Sequence, residues 1–390
     1  MLPTAKLDFN DRPYIVIWET TQSCDLACVH CRACAQPARS PFELSTTEAK
    51  GLIDQIAEMR APVFVLTGGD PLKRPDIYEL VQYATTRGVH TSMTPSATPL
   101  LTRAAIAGLK QRRLARLAVS LDGSTAEIHD AFRRVAGSYE CTLNAVRWAR
   151  EVGLHVQINT TITRRNLADV DSMVRLLETL DIVLWSVFFL VPTGRGQSSD
   201  LITAEEFESI FENLYRTSRR VRFDIKTTEA QHYRRFLLQR RSAEKKAGEA
   251  APRTMLPAAQ SYAASLGEDG IARAPRSLND GKGFVFVSHI GEVFPSGFLP
   301  QSAGNIRRDR LAYLYRESPL FRMLRDASQL KGKCGVCEFK EICGGSRARA
   351  YALTGDVMAE EPCCVYQPKR FAARRSALAR PAAQRAAEVG

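Results

Sequence analysis

The chain reads as α/β: a partial (βα)6 TIM-like barrel followed by a small C-terminal α+β domain with its own cysteine group. Three observations lead there. Between residues 14 and 220, short apolar β-branched runs alternate six times with helical stretches, and such alternation builds a parallel sheet. Polar or Gly-rich segments follow strands one, two, four, five and six, and in a barrel-type fold the strand C-termini carry the site. Past residue 283 the pattern changes to a hairpin and a second group of cysteines.

Tyr14 to Trp18 reads as a buried first strand, with a cysteine loop directly after it. Ser45 with Glu48 three residues on is a capping box, so a helix is expected from there to about Met59. Pro62 to Leu66 is the second strand and runs into Thr67–Gly68–Gly69–Asp70–Pro71. Glycines in that loop let backbone approach a ligand, and the acid can pair with an amine. A helix over 76–87 stops at Gly88; a strand over 89–94 and a helix over 102–113 follow. Leu114 to Leu121 is the fourth strand, then Asp122–Gly123. The fifth spans 154–161, with Asn159 and Thr161 near its end, and the sixth spans 182–191. Helices are expected over 139–152, 167–180 and 204–219.

The expected division is an N-terminal segment at 1–13, the barrel at 14–225, a linker or insertion at 226–282, the second domain at 283–368 and a basic tail at 369–390. Arg234 to Lys246 reads as a charged helix. From Ala247 to Gly283 the chain is rich in Ala, Gly, Ser and Pro, the composition of a linker or lid.

Of the residues, 45% are hydrophobic and 25% charged, the balance of a globular protein. No apolar run reaches the roughly 18 residues of a membrane span. The first eleven residues lack the basic and apolar regions of a secretory signal. All of the ten cysteines but Cys141 fall into two groups with metal-like spacing, which favours a reducing cytoplasm over disulfides. The net charge of +12 suits an anionic substrate. No nucleic-acid module accompanies it, so nucleic acid is not the expected partner.

Cys24, Cys28 and Cys31 stand at C-x3-C-x2-C spacing. Soft thiolates this close select iron–sulfur, zinc or copper. Structural zinc wants four closed ligands, whereas a cluster held by three thiolates leaves one iron open. Cys34 is the nearby fourth thiol. The second group is Cys334, Cys337, Cys343 and the adjacent pair Cys363–Cys364. Adjacent residues point different ways, so one of that pair is spare; Cys364 is the chosen ligand, with Cys363 left open. Spacing alone gives zinc and iron–sulfur equal standing there.

The first motif and six βα units resemble the radical S-adenosylmethionine (SAM) enzymes, with a C-terminal extension similar to the SPASM/twitch type. The resemblance implies a SAM-binding [4Fe–4S] cluster on Cys24, Cys28 and Cys31, with His30 near the adenine. Gly68–Gly69–Asp70–Pro71 resembles the loop that takes the methionine amino group, with Asp where Glu is commoner. Ser120, Asp122, Asn159 and Thr161 hold the places of strand-end residues that face SAM. One auxiliary [4Fe–4S] cluster is implied on Cys334, Cys337, Cys343 and Cys364, because Ser296 stands where full SPASM domains often carry a cysteine. Residues 294–300, 304–307 and 334–356 are similar to radical SAM proteins of haem d1 and alternative haem biosynthesis.

That likeness implies reductive cleavage of SAM to a 5′-deoxyadenosyl radical, which oxidatively modifies a tetrapyrrole by decarboxylation or side-chain cleavage. Arg195, Arg347 and Arg349 are then candidates to pair substrate carboxylates. A flavodoxin or ferredoxin would supply electrons. Two alternatives stand beside it: a maturase of ribosomally made peptides, which shares the extension, and a non-catalytic zinc-binding scaffold. No catalytic acid or base is assignable.

Overall fold

A computed structural model describes residues 7–248, 267–271 and 277–369. Residues 249–266 and 272–276 of the expected linker, and all but the first residue of the basic tail, lie outside them. Ten strands form one sheet: β1 (Ile15–Glu19), β2 (Val63–Thr67), β3 (Thr91–Met93), β4 (Arg116–Ser120), β5 (His155–Ile162), β6 (Leu184–Phe189), β7 (Asp224–Thr228), β8 (Phe284–Val287), β9 (Glu292–Phe294) and β10 (Gly304–Asn305). The order is β10-β9-β8-β1-β2-β3-β4-β5-β6-β7, so β7 and β10 are edges and the barrel stays open.

The barrel helices are α1 (Thr46–Glu58), α2 (Ile77–Thr86), α3 (Arg103–Gln111), α4 (Ala126–Arg133), α5 (Ser138–Glu151), α6 (Val170–Leu177) and α7 (Ala204–Ser218). The short α4 was not expected; Thr125 caps it, accepting from the backbone N of Ile128. The Ser45–Glu48 capping box forms as read: Ser45 Oγ accepts from Glu48 N at 3.2 Å, and Glu48 Oε2 accepts from Ser45 N at 2.8 Å. These helices press Leu52, Ile53, Ile56, Leu80, Ile106, Val174, Phe207 and Phe211 onto one face of the sheet, all buried. Each such side chain contributes about 1.5–3 kcal/mol.

β5 shows what the other face does. Val156, Ile158, Thr160 and Ile162 are buried, while His155, Gln157, Asn159 and Thr161 alternate with them and stay partly accessible. A period of two therefore turns a polar row inward. Register places Glu19 beside Thr67, Ser120 beside Asn159, and Thr161 beside Phe188, so the strand ends converge at one mouth.

The sheet runs through the expected domain boundaries at 226 and 283. β7 spans the first, pairing in parallel with β6, and is followed by α8 (Tyr233–Lys246). β8 lies parallel against β1, Val287 beside Trp18, and carries the hairpin β8–β9. Sequence periodicity is silent on such pairing, because it is set by partners more than 200 positions away. Helices α9 (Leu311–Glu317), α10 (Pro319–Arg325), α11 (Gly332–Gly335) and α12 (Arg347–Thr354) complete the chain. Around them Leu299, Leu324, Leu330, Ala348, Val357 and Met358 form a second core that also takes Val191. Tyr315 Oη donates to Phe9 O at 2.6 Å and accepts from Gly283 N at 3.0 Å, tying α9 under the barrel. Among the described residues, no helix is long and apolar enough to cross a membrane.

Candidate active site

The strand ends enclose a cleft with about 1130 Å³ of empty space, its mouth included. Cys24, Cys28 and Cys31 line it together with His30, Gly68, Gly69, Ser120, Asn159 and Thr161. The three thiols come from one loop whose shape is fixed from four sides. Ser96 Oγ lies 3.1 Å from Cys24 Sγ and donates to Gly69 O at 2.8 Å. Arg133 donates to Cys28 Sγ at 3.4 Å. Arg195 Nε donates to Cys28 O, and its backbone N to Cys31 O, both at 2.9 Å. Gly194 precedes it at φ +58°; a Cβ there would run into the carbonyl oxygens of Cys31 and Arg32.

Gly68 and Gly69 serve the same loop. A Cβ on Gly68 would meet Thr21 O, and one on Gly69 would meet Ser23 O. Gly69 N donates to Thr21 O at 2.7 Å, and Asp70 N to Ser23 O at 2.6 Å. The glycines thus let the second loop close on the stretch leading into Cys24.

Two expected cleft residues turn inward instead. Asp70 is fully buried; it accepts from Thr98 Oγ1 at 2.9 Å and from Leu72 N at 3.1 Å, and burial raises its pKa to about 6. Its carboxylate shapes the loop and is absent from the cleft wall. Asp122 is likewise fully buried, ion-paired to Arg133 and accepting from Thr161 N at 2.7 Å. It reaches the site through Arg133, which holds Cys28, and through the backbone of Thr161. His30 packs on Phe132 at 4.7 Å between ring centroids, and burial keeps it neutral, its pKa well below the usual value.

The three proposed carboxylate-binding arginines do not face the cleft, which corrects the sequence reading. Arg349 is buried against Glu361 at 3.1 Å and the carbonyl of Glu229. Arg347 is buried, with Nη1 on the carbonyls of Val357 at 3.0 Å and Ala359 at 2.6 Å. Arg195 is spent on the cysteine loop. Backbone carbonyls, and for Arg349 the Glu361 carboxylate, therefore take donors that a substrate carboxylate would need. The cleft's arginines are Arg133 and Arg32. Arg32 is paired with the buried Glu19 at 3.2 Å, lies 4.3 Å over the Phe286 ring, and keeps about a fifth of its side chain accessible. Sequence reasoning passed over it because nothing local separates it from the many surface arginines. Phe188 and Phe298, with ring centroids 6.3 Å apart, complete that wall.

A second, smaller cavity of about 390 Å³ is lined by Cys334, Cys337, Cys343 and Cys364. Cys363 turns the other way, into the main core. Burial raises the Cys337 and Cys343 thiols to about 11 and 12, so a metal binding there must displace their protons. Cys34 is exposed at φ +48° and lines neither cavity. Ser296 is buried beside Glu229 at 3.4 Å. Among the described residues, no three His, Cys, Asp or Glu side chains are grouped to hold a single metal ion. Three thiols spread around a cleft fit a group with several irons, each taking one thiolate.

Comparison with known proteins gives the arrangement its context. Residues 18–177 match the radical SAM superfamily model. Over 356 residues the chain is 40% identical to an AdoMet-dependent heme synthase of Methanosarcina barkeri, covering 91% of this chain and 97% of that one. It is 39% identical over 371 residues to the protein of that name from Nitratidesulfovibrio vulgaris, covering 95% and 94%. The fold is similar to Streptococcus suis SuiB bound to S-adenosylmethionine, at TM-score 0.68 and 15% identity over 91% of this chain and 78% of that one. The chain therefore belongs to the radical SAM superfamily and is a SAM-dependent, iron–sulfur enzyme.

Proposed function

We propose that this enzyme oxidatively modifies a tetrapyrrole at its carboxylate-bearing side chains, by decarboxylation or side-chain cleavage. The observation that carries the reading is that the Cys24, Cys28 and Cys31 thiols and the Arg32 guanidinium line the same cleft. The relatives named as heme synthases support it, since each pairs with nearly the full chain.

Cys24, Cys28 and Cys31 would hold a [4Fe–4S] cluster, and Gly68, Gly69, Ser120, Asn159, Thr161 and His30 would surround SAM. Together those groups supply a 5′-deoxyadenosyl radical able to take hydrogen from unactivated carbon. The chain's own part is positional. Arg195, Arg133 and Ser96 fix the cysteine loop, and the strand ends exclude water. Arg32 offers a charge-assisted pair to a propionate, oriented by Glu19 and Phe286. Phe188 and Phe298 give a macrocycle an apolar wall. Cys334, Cys337, Cys343 and Cys364 would hold one auxiliary [4Fe–4S] cluster, a further redox group. An acidic flavodoxin or ferredoxin suits a chain of net charge +12 as electron donor. Ten free cysteines suit a reducing cytoplasm.

The test is anaerobic turnover of reconstituted protein with SAM, reductant and a propionate-bearing iron porphyrin. Deoxyadenosine should form alongside a porphyrin lighter by the elements of formic acid per side chain, or shortened by the whole side chain. Replacing Cys24, Cys28 and Cys31 together by Ala should abolish deoxyadenosine and leave a second cluster signal. Zinc without iron, or modification of a peptide with the porphyrin untouched, overturns the reading.

A further inference from the structure

His232 is fully buried at the entrance to α8, and neither ring nitrogen has a hydrogen-bond partner. It is packed between Phe207 and Phe211, with centroids 5.1 and 4.9 Å away, which fix the ring plane. A polar ring held this rigidly without a partner is uncommon in an interior, where buried polar groups are satisfied by protein, water or ligand. His232 also lines the cavity of Cys334, Cys337, Cys343 and Cys364. Arg235, Lys333 and Lys340 line it as well, so its wall is cationic as well as thiol-bearing.

We infer that His232 donates a ring N–H to a sulfur of the group held by those four thiols, and thereby raises that group's reduction potential. This inference rests on the auxiliary-cluster reading above. In either protonation state imidazole carries at least one N–H, and thiolate or sulfide sulfur is the acceptor that the cavity would offer. A hydrogen bond to cluster sulfur stabilises the reduced, more negative state, which is how a protein tunes such centres from outside the ligand set. The four thiols already complete the tetrahedral set, so the imidazole acts as donor and leaves ligation to sulfur. The two phenylalanines make the geometry durable, because the ring has no room to turn toward solvent.

The experiment is an EPR-monitored redox titration of the reconstituted holoenzyme, comparing wild type with His232→Phe and His232→Gln. Added SAM identifies the open cluster by perturbing its signal alone. His232→Phe, which keeps the aromatic bulk, should retain about eight irons and move only the SAM-insensitive cluster to more negative potential. His232→Gln, which restores an N–H, should fall between. Exchangeable-proton coupling to that cluster in wild type, absent in His232→Phe, should accompany the shift. An unmoved potential in both variants overturns the inference. So does a directly bonded nitrogen, or loss of about half the iron in His232→Phe, because His232 would then be a ligand. Wild type holding only about four irons, with one SAM-sensitive signal, removes the auxiliary cluster itself; that failure is visible before any variant is made.

Discussion

Arg195 donates from Nε to the carbonyl oxygen of Cys28 at 2.9 Å, across 167 positions of sequence. The loop after β6 is thereby closed over the loop after β1, and the two halves of the barrel share one hydrogen-bonded seam at the cysteines.

Arg195→Ala should therefore loosen the cysteine loop. A charged donor lost from buried carbonyls costs about 1.5–3 kcal/mol. Iron at the SAM-binding cluster should fall, and deoxyadenosine formation should drop at least about tenfold, which 1.4 kcal/mol suffices to produce. Arg195→Lys, with a single ammonium in place of a fork, should recover part of both. Iron analysis and product chromatography check it.

Cys363 and Cys364 should separate cleanly. Cys364 lines the smaller cavity and Cys363 packs into the core. Cys364→Ala should lose the auxiliary cluster's signal, while Cys363→Ala should keep it and lose only about 1 kcal/mol of packing. Iron content and EPR of the two variants decide it; the reverse outcome would exchange their roles.

Arg32 carries a prediction about substrate. Arg32→Gln should raise KM for a porphyrin propionate by about tenfold or more, the cost of one charge-assisted pair. Uncoupled SAM cleavage without porphyrin should change little. Equal losses in both would place Arg32 on the cluster loop alone.

Glu48 joins the start of α1 to the chain's second half through Arg307, at 2.6 Å. The Arg307 hydrogen bond and the helix-start N–H of Ser45 hold its pKa near 2. A depressed carboxyl stabilises the fold fully above its ordinary pKa of 4.5 and loses that contribution as pH falls toward 2. The pair is largely exposed, so its worth is about 1 kcal/mol at most. Glu48→Gln should lower stability by that amount equally at pH 8 and pH 5, read by thermal unfolding. A gap that shrinks between those two values contradicts the depressed pKa.

Much of this protein was legible in the sequence because the signals were local. The C-x3-C-x2-C loop, the Ser45–Glu48 cap and the six strand–helix alternations each need only neighbours within a turn or a strand. Asn159 and Thr161 were placed near the end of the fifth strand, where they line the cleft. Features that depend on distant partners did not show. The pairing of β8 with β1, the inward turn of Asp70 and Asp122, and the choice between Cys363 and Cys364 all depend on what lies opposite.

The arginines show the division most sharply. Sequence by itself determined that this chain would be an α/β barrel presenting three thiols at its strand ends. It also showed positive charge in excess. Which guanidinium stays free to meet a substrate was decided only by tertiary structure. Arg347 and Arg349 became buried and Arg195 half-buried, and each turned donors to the backbone carbonyls and, for Arg349, the Glu361 carboxylate beside it. Arg32, one residue past Cys31, retained an accessible face because Glu19 and Phe286 hold it against the cleft wall. Burial and partner geometry are properties of the folded chain, and no spacing of residues encodes them.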